Sequence, residues 1–171
     1  MSAPAIPARI RAAVELLDPR PGERILEVGG GASGAAATLI ADRLGAAGRL
    51  VEIDRSATAI ERASARITDP RVTFILAALA DYVPDGSFDK VFCLNVNVFW
   101  TRPADAELAV LTNCLAPDGQ LFLCFDTGPQ PAERIVGAVT RALDRAGFVT
   151  SVLPRPVLCF RARHGGHTVL P

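Results

Sequence analysis

The sequence predicts an α/β fold in which a mostly parallel sheet carries helices on both faces. Hydrophobic periodicity alternates between strand-like and helix-like along the chain, which is typical of such folds. The last two strand-like segments are separated only by Pro154-Arg155-Pro156, which is too short for a helical crossover. They must therefore pair antiparallel or bend away, and one antiparallel strand is predicted. With 171 residues, 50% of them hydrophobic, we expect a single domain spanning 1–171.

The first half of the chain alternates helix and strand three times. Ile10, Val14 and Leu17 have the spacing of one helix face, and this pattern stops at Asp18-Pro19. Ser56 is a suitable N-cap for a later helix. The predicted helices are 6–17, 35–44 and 56–66, and the predicted strands are 24–28, 50–53 and 72–76.

The second half contains four strands and two helices. The segment 88–95 is apolar nearly throughout, as expected of a strand buried on both faces. Pro117-Asp118-Gly119 is expected to close one helix, and Gly147 to cap the other. The predicted strands are 88–95, 120–125, 150–153 and 157–161, and the predicted helices are 104–115 and 131–146.

The amino-acid composition disfavours nucleic-acid binding, membrane spanning and metal binding. The 18 basic and 18 acidic side chains balance, which disfavours nucleic acid as a partner. No run of about 18 apolar residues is present, so we expect a cytoplasmic protein without a membrane partner. The four cysteines lack C-x-x-C spacing, and His164 and His167 lie outside any cysteine or carboxylate cluster. Buried, reduced thiols and no metal site are therefore predicted.

A glycine-rich turn carries the main functional signal. Gly29, Gly31 and Gly34 form G-x-G-x-x-G between a predicted strand and a predicted helix, and Asp54 ends the next strand. Such glycines allow a tight turn and close approach of the backbone to a ligand, while the carboxylate accepts hydrogen bonds from ribose hydroxyls. The arrangement predicts a nucleoside-containing cofactor; the alternative is a tight turn without a ligand.

Glu27 distinguishes between two cofactors that the glycine spacing cannot separate. In a dinucleotide site this carboxylate would lie beside a pyrophosphate and repel it by a few kcal/mol. S-adenosyl-L-methionine has no phosphate and carries a sulfonium and an ammonium group, which Glu27 would attract. The charge therefore favours S-adenosylmethionine, and the alternative is an acid that stabilises a helix N-terminus.

The segment 25–34 resembles the first motif of class I S-adenosylmethionine-dependent methyltransferases. The resemblance continues through 16–24, 48–56, 85–92 and 115–123, and so covers most of the chain. It implies a Rossmann-like three-layer sandwich whose seven-stranded sheet has the order 3-2-1-4-5-7-6, with the seventh strand antiparallel.

The resemblance also implies how the cofactor is held. The amino-acid portion would lie against Glu27 and the backbone of Gly29, Gly30 and Gly31, and the ribose against Asp54. Arg55 would cover the adenine. An acidic residue often follows the third strand in this family, but here that segment is Leu76-Ala-Ala-Leu79. Backbone groups of Ala78 and Leu79 would then contact the adenine edge.

The segment 94–100 follows the fourth strand and is the second candidate site. Ligands of open α/β sheets bind beyond the carboxyl ends of the strands. Asn95 is therefore expected near the methionine portion, and Asn97 and Trp100 toward the methyl acceptor. No dedicated general base is evident, so catalysis is expected to come mainly from positioning. Tyr82, Asp126 and a C-terminal histidine are weak candidates for a base.

The predicted pocket has little lid of its own. The only segments available to cover it are the helical region within 1–20 and a short connection after the fifth strand. We expect a second subunit of a homodimer, or a bulky or carrier-bound substrate, to cover it. A small-molecule methyltransferase is the favoured function. The alternatives are a non-catalytic S-adenosylmethionine-binding protein or subunit, and a nicotinamide-dependent oxidoreductase, which Glu27 disfavours.

Overall fold

A computed structural model describes residues 5–127 and 132–165, which form a seven-stranded sheet with helices on both faces. The helices are α1 (Ala8–Leu17), α2 (Ala35–Ala41), α3 (Ala57–Arg66), α4 (Val98–Thr101), α5 (Asp105–Cys114) and α6 (Ala132–Arg145). The strands are β1 (Arg24–Val28), β2 (Arg49–Asp54), β3 (Val72–Leu76), β4 (Phe88–Leu94), β5 (Leu115–Phe125), β6 (Phe148–Leu153) and β7 (Leu158–His164). A 3₁₀ turn, Leu79–Asp81, follows β3.

The sheet order is β3-β2-β1-β4-β5-β7-β6, which confirms the predicted fold class. The first five strands pair in parallel, whereas β7 is antiparallel to both β5 and β6. The short connection between β6 and β7 forces this reversal, because a parallel return needs a crossover of a dozen or more residues. The carboxyl ends of β1, β2, β4 and β5 therefore meet at one edge of the sheet.

Alternation along the strands divides the buried side chains between two cores. On β1, Leu26 and Val28 face the core under α4, α5 and α6, whereas Ile25 faces the core under α1 and α2. Glu27 is on the same side as Ile25, because successive residues of a strand point to opposite faces. The carboxyl group of Glu27 therefore lies on the same apolar face of β1 as Ile25, near the carboxyl end of the strand.

The structure differs from the predicted elements around β5. This strand begins at Leu115, which pairs with Phe88, and the register shifts before Lys90 pairs with Gln120. The segment Pro117-Asp118-Gly119 was expected to precede the strand, but it is an irregular part of it. A Cβ on Gly119 would lie 2.9 Å from the carbonyl oxygen of Phe88. The close approach of β4 draws this turn into the sheet.

Two short elements were not predicted: the 3₁₀ turn after β3, and α4. Asn95 has a φ of 59°, which ends β4 one residue before the predicted boundary. The chain then enters α4, where Phe99 is buried. Both elements are shorter than two helical turns, so the sequence gives them no detectable periodicity. Helix α2 also ends at Ala41, earlier than predicted.

Two predictions from composition concern the described part of the chain. None of its helices is long and apolar enough to cross a membrane. All four cysteines are buried and free, as expected for reduced thiols.

Candidate cofactor and acceptor site

The loop between β1 and α2 has the backbone that its glycines require. Gly29, Gly31 and Gly34 have φ angles of 72°, 72° and 59°, a region that residues with a side chain rarely adopt. The amide of Gly29 donates to the carbonyl oxygen of Ile53, 2.8 Å away, and fixes the loop to the end of β2. A Cβ on Gly29 would lie 3.2 Å from Val96, so the loop also packs against the segment that follows β4.

Asp54 is brought to this loop by its position at the end of β2. Its Oδ2 accepts from the amide of Gly31 at 3.3 Å, and its Oδ1 accepts from the amide of Ser56 at 2.8 Å. Each carboxylate oxygen has a further lone pair, so Asp54 can still accept hydrogen bonds from ribose hydroxyls. The two amides fix its orientation.

A second acidic residue, Glu52, accompanies Glu27. The two residues are register partners on adjacent parallel strands, and their exposed fractions are 0% and 2%, respectively. Both oxygens of Glu52 and Oε2 of Glu27 are buried without a hydrogen-bond partner in the described part of the chain. Burial, reinforced by the neighbouring carboxylates, raises the pKa of Glu27 well above its usual range and that of Glu52 to about 7.

Glu52 was not identified from the sequence. It lies in the apolar run Leu50-Val-Glu-Ile-Asp54, two residues before Asp54, as Glu27 lies two residues before Gly29. This equivalent position in two consecutive strands was the available signal, because parallel strands in this register place both side chains on one face. When these carboxyls ionise, no positive charge among the described residues compensates them, which suits a cationic ligand.

The predicted adenine-binding residues lie at the end of β3. The amide of Ala77 donates to the carbonyl oxygen of Asp54, 3.0 Å away, so this turn is tied to the end of β2. Ala78 precedes the 3₁₀ turn and Leu79 begins it. Arg55 is exposed beside the same edge. The structure therefore brings all three residues to the side of the glycine loop where β2 ends.

Asn95 connects the ends of β4 and β5. Its backbone N–H donates to the carbonyl oxygen of Cys124 at 2.8 Å, and its side-chain Oδ1 accepts from the backbone N–H of Asp126 at 2.7 Å. An asparagine adopts the left-handed conformation more readily than most residues. The side chain of Asn95 is thus used to orient the backbone at Asp126.

Asn97 and Trp100 lie together next to Asn95. The indole Nε1 of Trp100 donates to Oδ1 of Asn97 at 3.1 Å, and the Arg134 guanidinium lies 5.8 Å from the ring centroid. Trp100 is only partly buried, so part of the ring remains available for contact with a ligand.

A cleft of about 200 Å³ lies beyond the ends of β5 and β7. Arg9 on α1 forms an ion pair with Asp126 at its rim, with 3.3 Å between Nε and Oδ2. Its lining is mostly apolar, and includes Phe125, Val136, Val152, Pro154 and Leu158. A larger cleft of about 310 Å³, lined by Glu23, Lys90 and residues 116–120, is at the opposite edge. Ligands of parallel sheets bind at the carboxyl edge, so we favour the smaller cleft.

Two candidate bases are placed away from this edge, contrary to expectation. Tyr82 is buried beside α5, where burial and the Cys114 thiol raise its pKa. The nearby Arg24 guanidinium lowers this pKa in part. Because Arg24 begins β1, the phenol of Tyr82 lies toward the amino edge of the sheet. The structure therefore places Tyr82 near Arg24 and Cys114 and not at the carboxyl edge where strand order predicted it.

His164 also lies at the amino edge, because β7 runs antiparallel. Its ring stacks on Phe148, with 4.7 Å between the centroids. His167 is outside the described residues. Asp126 is the one weak candidate that the structure places beside Asn95. Among the described residues, no group of three His, Cys, Asp or Glu side chains is arranged to hold a metal ion.

Comparison with known proteins agrees with this geometry. A family model described as a methyltransferase domain matches residues 25–119. Nocamycin O-methyltransferase from Saccharothrix syringae is 30% identical over 158 residues, which are 90% of this chain and 54% of that protein. Trans-aconitate 2-methyltransferase from Acidovorax ebreus is 33% identical over 133 residues, which are 75% of this chain and 49% of that protein. The chain therefore spans about half the length of these curated relatives.

The fold is shared with solved methyltransferases. An S-adenosylmethionine-dependent methyltransferase from Aquifex aeolicus superposes with a TM-score of 0.73 at 22% identity, covering 91% of each chain. The residues at the site fit the cofactor of such enzymes, since Asp54 suits a ribose and the unpartnered carboxylates suit a cation. The chain belongs to the class I S-adenosylmethionine-dependent methyltransferase family.

Proposed function

We propose that this chain transfers a methyl group from S-adenosylmethionine to a small molecule. The observation that carries the proposal is the buried pair Glu27 and Glu52 near the strand ends beside Asp54, three of whose four carboxyl oxygens lack a hydrogen-bond partner among the described residues. A pyrophosphate at this loop would meet two carboxylates, whereas a ligand with cationic groups compensates them. The loop is therefore suited to an amino-acid-bearing nucleoside.

Support for a small acceptor comes from the cleft at Asp126. Its volume of about 200 Å³ suits a compact molecule, and its lining is largely apolar with the charges of Arg9 and Asp126 at the rim. Both relatives named above carry a small-molecule substrate in their names. A balanced net charge gives no general attraction for nucleic acid.

Positioning is expected to supply most of the rate acceleration. S-adenosylmethionine, when bound, provides a methyl group on a sulfonium, which needs little activation by the protein. Asn95 and Asp126 form a hydrogen-bonded connection between β4 and β5, and this would fix the rim where the acceptor enters. Asp126, with a half-exposed side chain, can take a proton from an acceptor that loses one.

Calorimetric titration tests the cofactor assignment. We expect S-adenosylmethionine and S-adenosylhomocysteine to bind and NAD not to bind. Glu27→Gln is expected to weaken both methionine-derived ligands at least tenfold, about 1.4 kcal/mol, because one carboxylate of the pair is neutralised. Glu107→Gln is the matched control, since Glu107 is also buried but lies on α5 and pairs with Arg102. Equal affinity of the Glu27 variant and the control would remove the charge argument.

Turnover separates an enzyme from a non-catalytic binding protein. We expect S-adenosylhomocysteine to form when small acceptors with a free hydroxyl, carboxyl or amino group are supplied. Tight binding of S-adenosylhomocysteine without turnover of any acceptor would instead favour a binding protein or subunit.

We further propose a homodimer in which a second copy covers the cleft at Asp126. The rim is open at the Arg9–Asp126 pair, whose side chains are 54% and 46% exposed. Light scattering coupled to gel filtration would measure the mass. A strict monomer with good turnover of a free small molecule would contradict the proposal.

A further inference from the structure

Glu52 is a buried carboxyl group that the roles proposed above leave without a function of its own. It lies in a row of register partners that runs across three strand pairs: Phe74 on β3, Glu52 on β2, Glu27 on β1 and Phe92 on β4. A phenylalanine thus stands on each side of the two acids. Neither flanking strand supplies a donor or a cation to them at this level of the sheet.

Gly30 is the residue of the glycine loop that contacts Glu52. A Cβ on Gly30 would lie 2.5 Å from Oε1 of Glu52 and 2.9 Å from Oε2. Unlike Gly29, Gly31 and Gly34, it has no left-handed φ, so its need for glycine is one of space. The carboxyl of Glu52 therefore occupies the volume that a side chain at position 30 would fill, directly against the loop backbone.

Within residues 5–127 and 132–165, the groups that face this pair give it no compensating positive charge. Asp54 adds a third carboxylate from the end of β2, and the Cys93 thiol of β4 lies on the other side of the sheet. Helix α2 contributes no titratable side chain. The charged residues of the other two helices on this face are exposed; they are Arg9, Arg11 and Glu15 on α1, and Glu61, Arg62 and Arg66 on α3.

Two adjacent, desolvated carboxyl groups do not both ionise readily. Neighbouring strands are about 4.8 Å apart, and like charges at that distance in a buried site raise the free energy of the doubly ionised form. Such a pair titrates as a unit that holds one proton over a range of pH in which isolated carboxyls are ionised. A cation brought close to the pair reverses this preference.

We propose that Glu52 is a positioning residue of the cofactor site, and that Glu52 and Glu27 together hold one proton which leaves when the cationic amino-acid portion of S-adenosylmethionine or S-adenosylhomocysteine binds. This inference rests on the proposed function. In the step, one carboxyl O–H bond breaks, the proton passes to the buffer, and both carboxylates are then ionised. Glu52 acts through Glu27 and the Gly30 backbone, since its own oxygens are fully buried.

Proton release on binding is the direct test. S-adenosylhomocysteine is titrated into the chain at pH 7 in buffers of different ionisation enthalpy, and the slope of observed heat gives the protons exchanged. We expect a net release approaching one proton, because the pKa of Glu27 is raised well above its usual range and that of Glu52 to about 7. Binding without proton release would overturn the inference while leaving the proposed function intact. If neither S-adenosylmethionine nor S-adenosylhomocysteine bound, the inference and the proposed function would both be overturned.

The pH dependence of affinity gives an independent measure. Because the pair releases up to one proton on binding, linkage predicts that S-adenosylhomocysteine binds about five- to tenfold more weakly at pH 6 than at pH 7. In Glu52→Gln the difference is expected to become smaller but not to vanish, because Glu27 loses its like-charged neighbour while its burial, the larger cause of its raised pKa, remains. Glu52→Asp, which keeps the charge and changes the shape, is expected to retain most of the dependence. A pH dependence of affinity that survives in Glu52→Gln but not in Glu52→Asp would indicate a purely structural role for Glu52.

The contact with Gly30 can be tested without any titration. Gly30→Ala is expected to weaken S-adenosylhomocysteine binding by at least tenfold, because the new Cβ displaces the Glu52 carboxyl. The same substitution in a Glu52→Ala background is expected to cost less than threefold, since the obstructing group is gone. Equal costs in the two backgrounds would show that Glu52 does not act through the loop.

Discussion

Glu52→Gln is expected to stabilise the ligand-free chain, and the gain is expected to grow as the pH rises. The native carboxyl is fully buried and has no hydrogen-bond partner among the described residues. Ionising it in the folded protein therefore costs free energy that the unfolded chain does not incur. Glutamine keeps the shape and removes the charge, so it removes this pH-dependent cost.

The magnitude follows from the pKa of Glu52, which rises from 4.5 to about 7 on folding. Because the folded carboxyl holds its proton more tightly than the unfolded one, native stability falls as the pH increases between these values. Each unit is worth about 1.4 kcal/mol, so the full penalty above pH 7 is about 3 kcal/mol. Between pH 5 and pH 8 the stabilisation by Gln is expected to increase by about 2–3 kcal/mol.

Urea denaturation at pH 5 and pH 8, followed by circular dichroism, measures this difference. A gain of 2–3 kcal/mol corresponds to roughly 5–10 °C in Tm for a chain of this size. Glu107→Gln serves as the control, because Glu107 is buried but paired with Arg102, so its ionised form is already compensated. If Glu52→Gln changed the free energy of unfolding by the same amount at pH 5 and pH 8, burial of an uncompensated charge at position 52 would be refuted.

Three further substitutions test the backbone of the site. Gly34→Ala is expected to cost about 1–3 kcal/mol of unfolding free energy in urea, because φ is 59° and the new Cβ meets the Ile67 side chain. Gly147→Ala, with φ 82° and no atom within 4 Å, is the control for strain alone, and equal costs would exclude the Ile67 contact. Asp54→Asn is expected to weaken S-adenosylhomocysteine at least tenfold by calorimetry, because an amide keeps a single acceptor oxygen; an unchanged affinity would place the ribose elsewhere. Asn95→Ala is expected to destabilise the chain by about 2 kcal/mol and Asn95→Gly by less, since glycine tolerates the φ of 59°; identical thermal shifts would show that φ does not matter.

Much of the cofactor site followed from the sequence because its residues are close along the chain to strand ends. Glu27, the glycines and Asp54 each end or follow a strand whose apolar run is easy to identify. In a parallel sheet such ends share one edge, so their proximity needs no knowledge of packing. Asn95 was also expected there, although its hydrogen bond to the amide of Asp126 depends on how β4 and β5 pair.

The amino-acid sequence by itself determined the order of helices and strands, the reversal of β7 and the negative charge of the glycine loop. These depend on periodicity, connection length and residue type, which are local properties. Only the tertiary structure decided which distant side chains meet. It placed Tyr82 and His164 at the amino edge, and it set Glu52 beside Glu27 and under Gly30. Register between strands fixes such contacts, and register is set by the packing of the whole sheet.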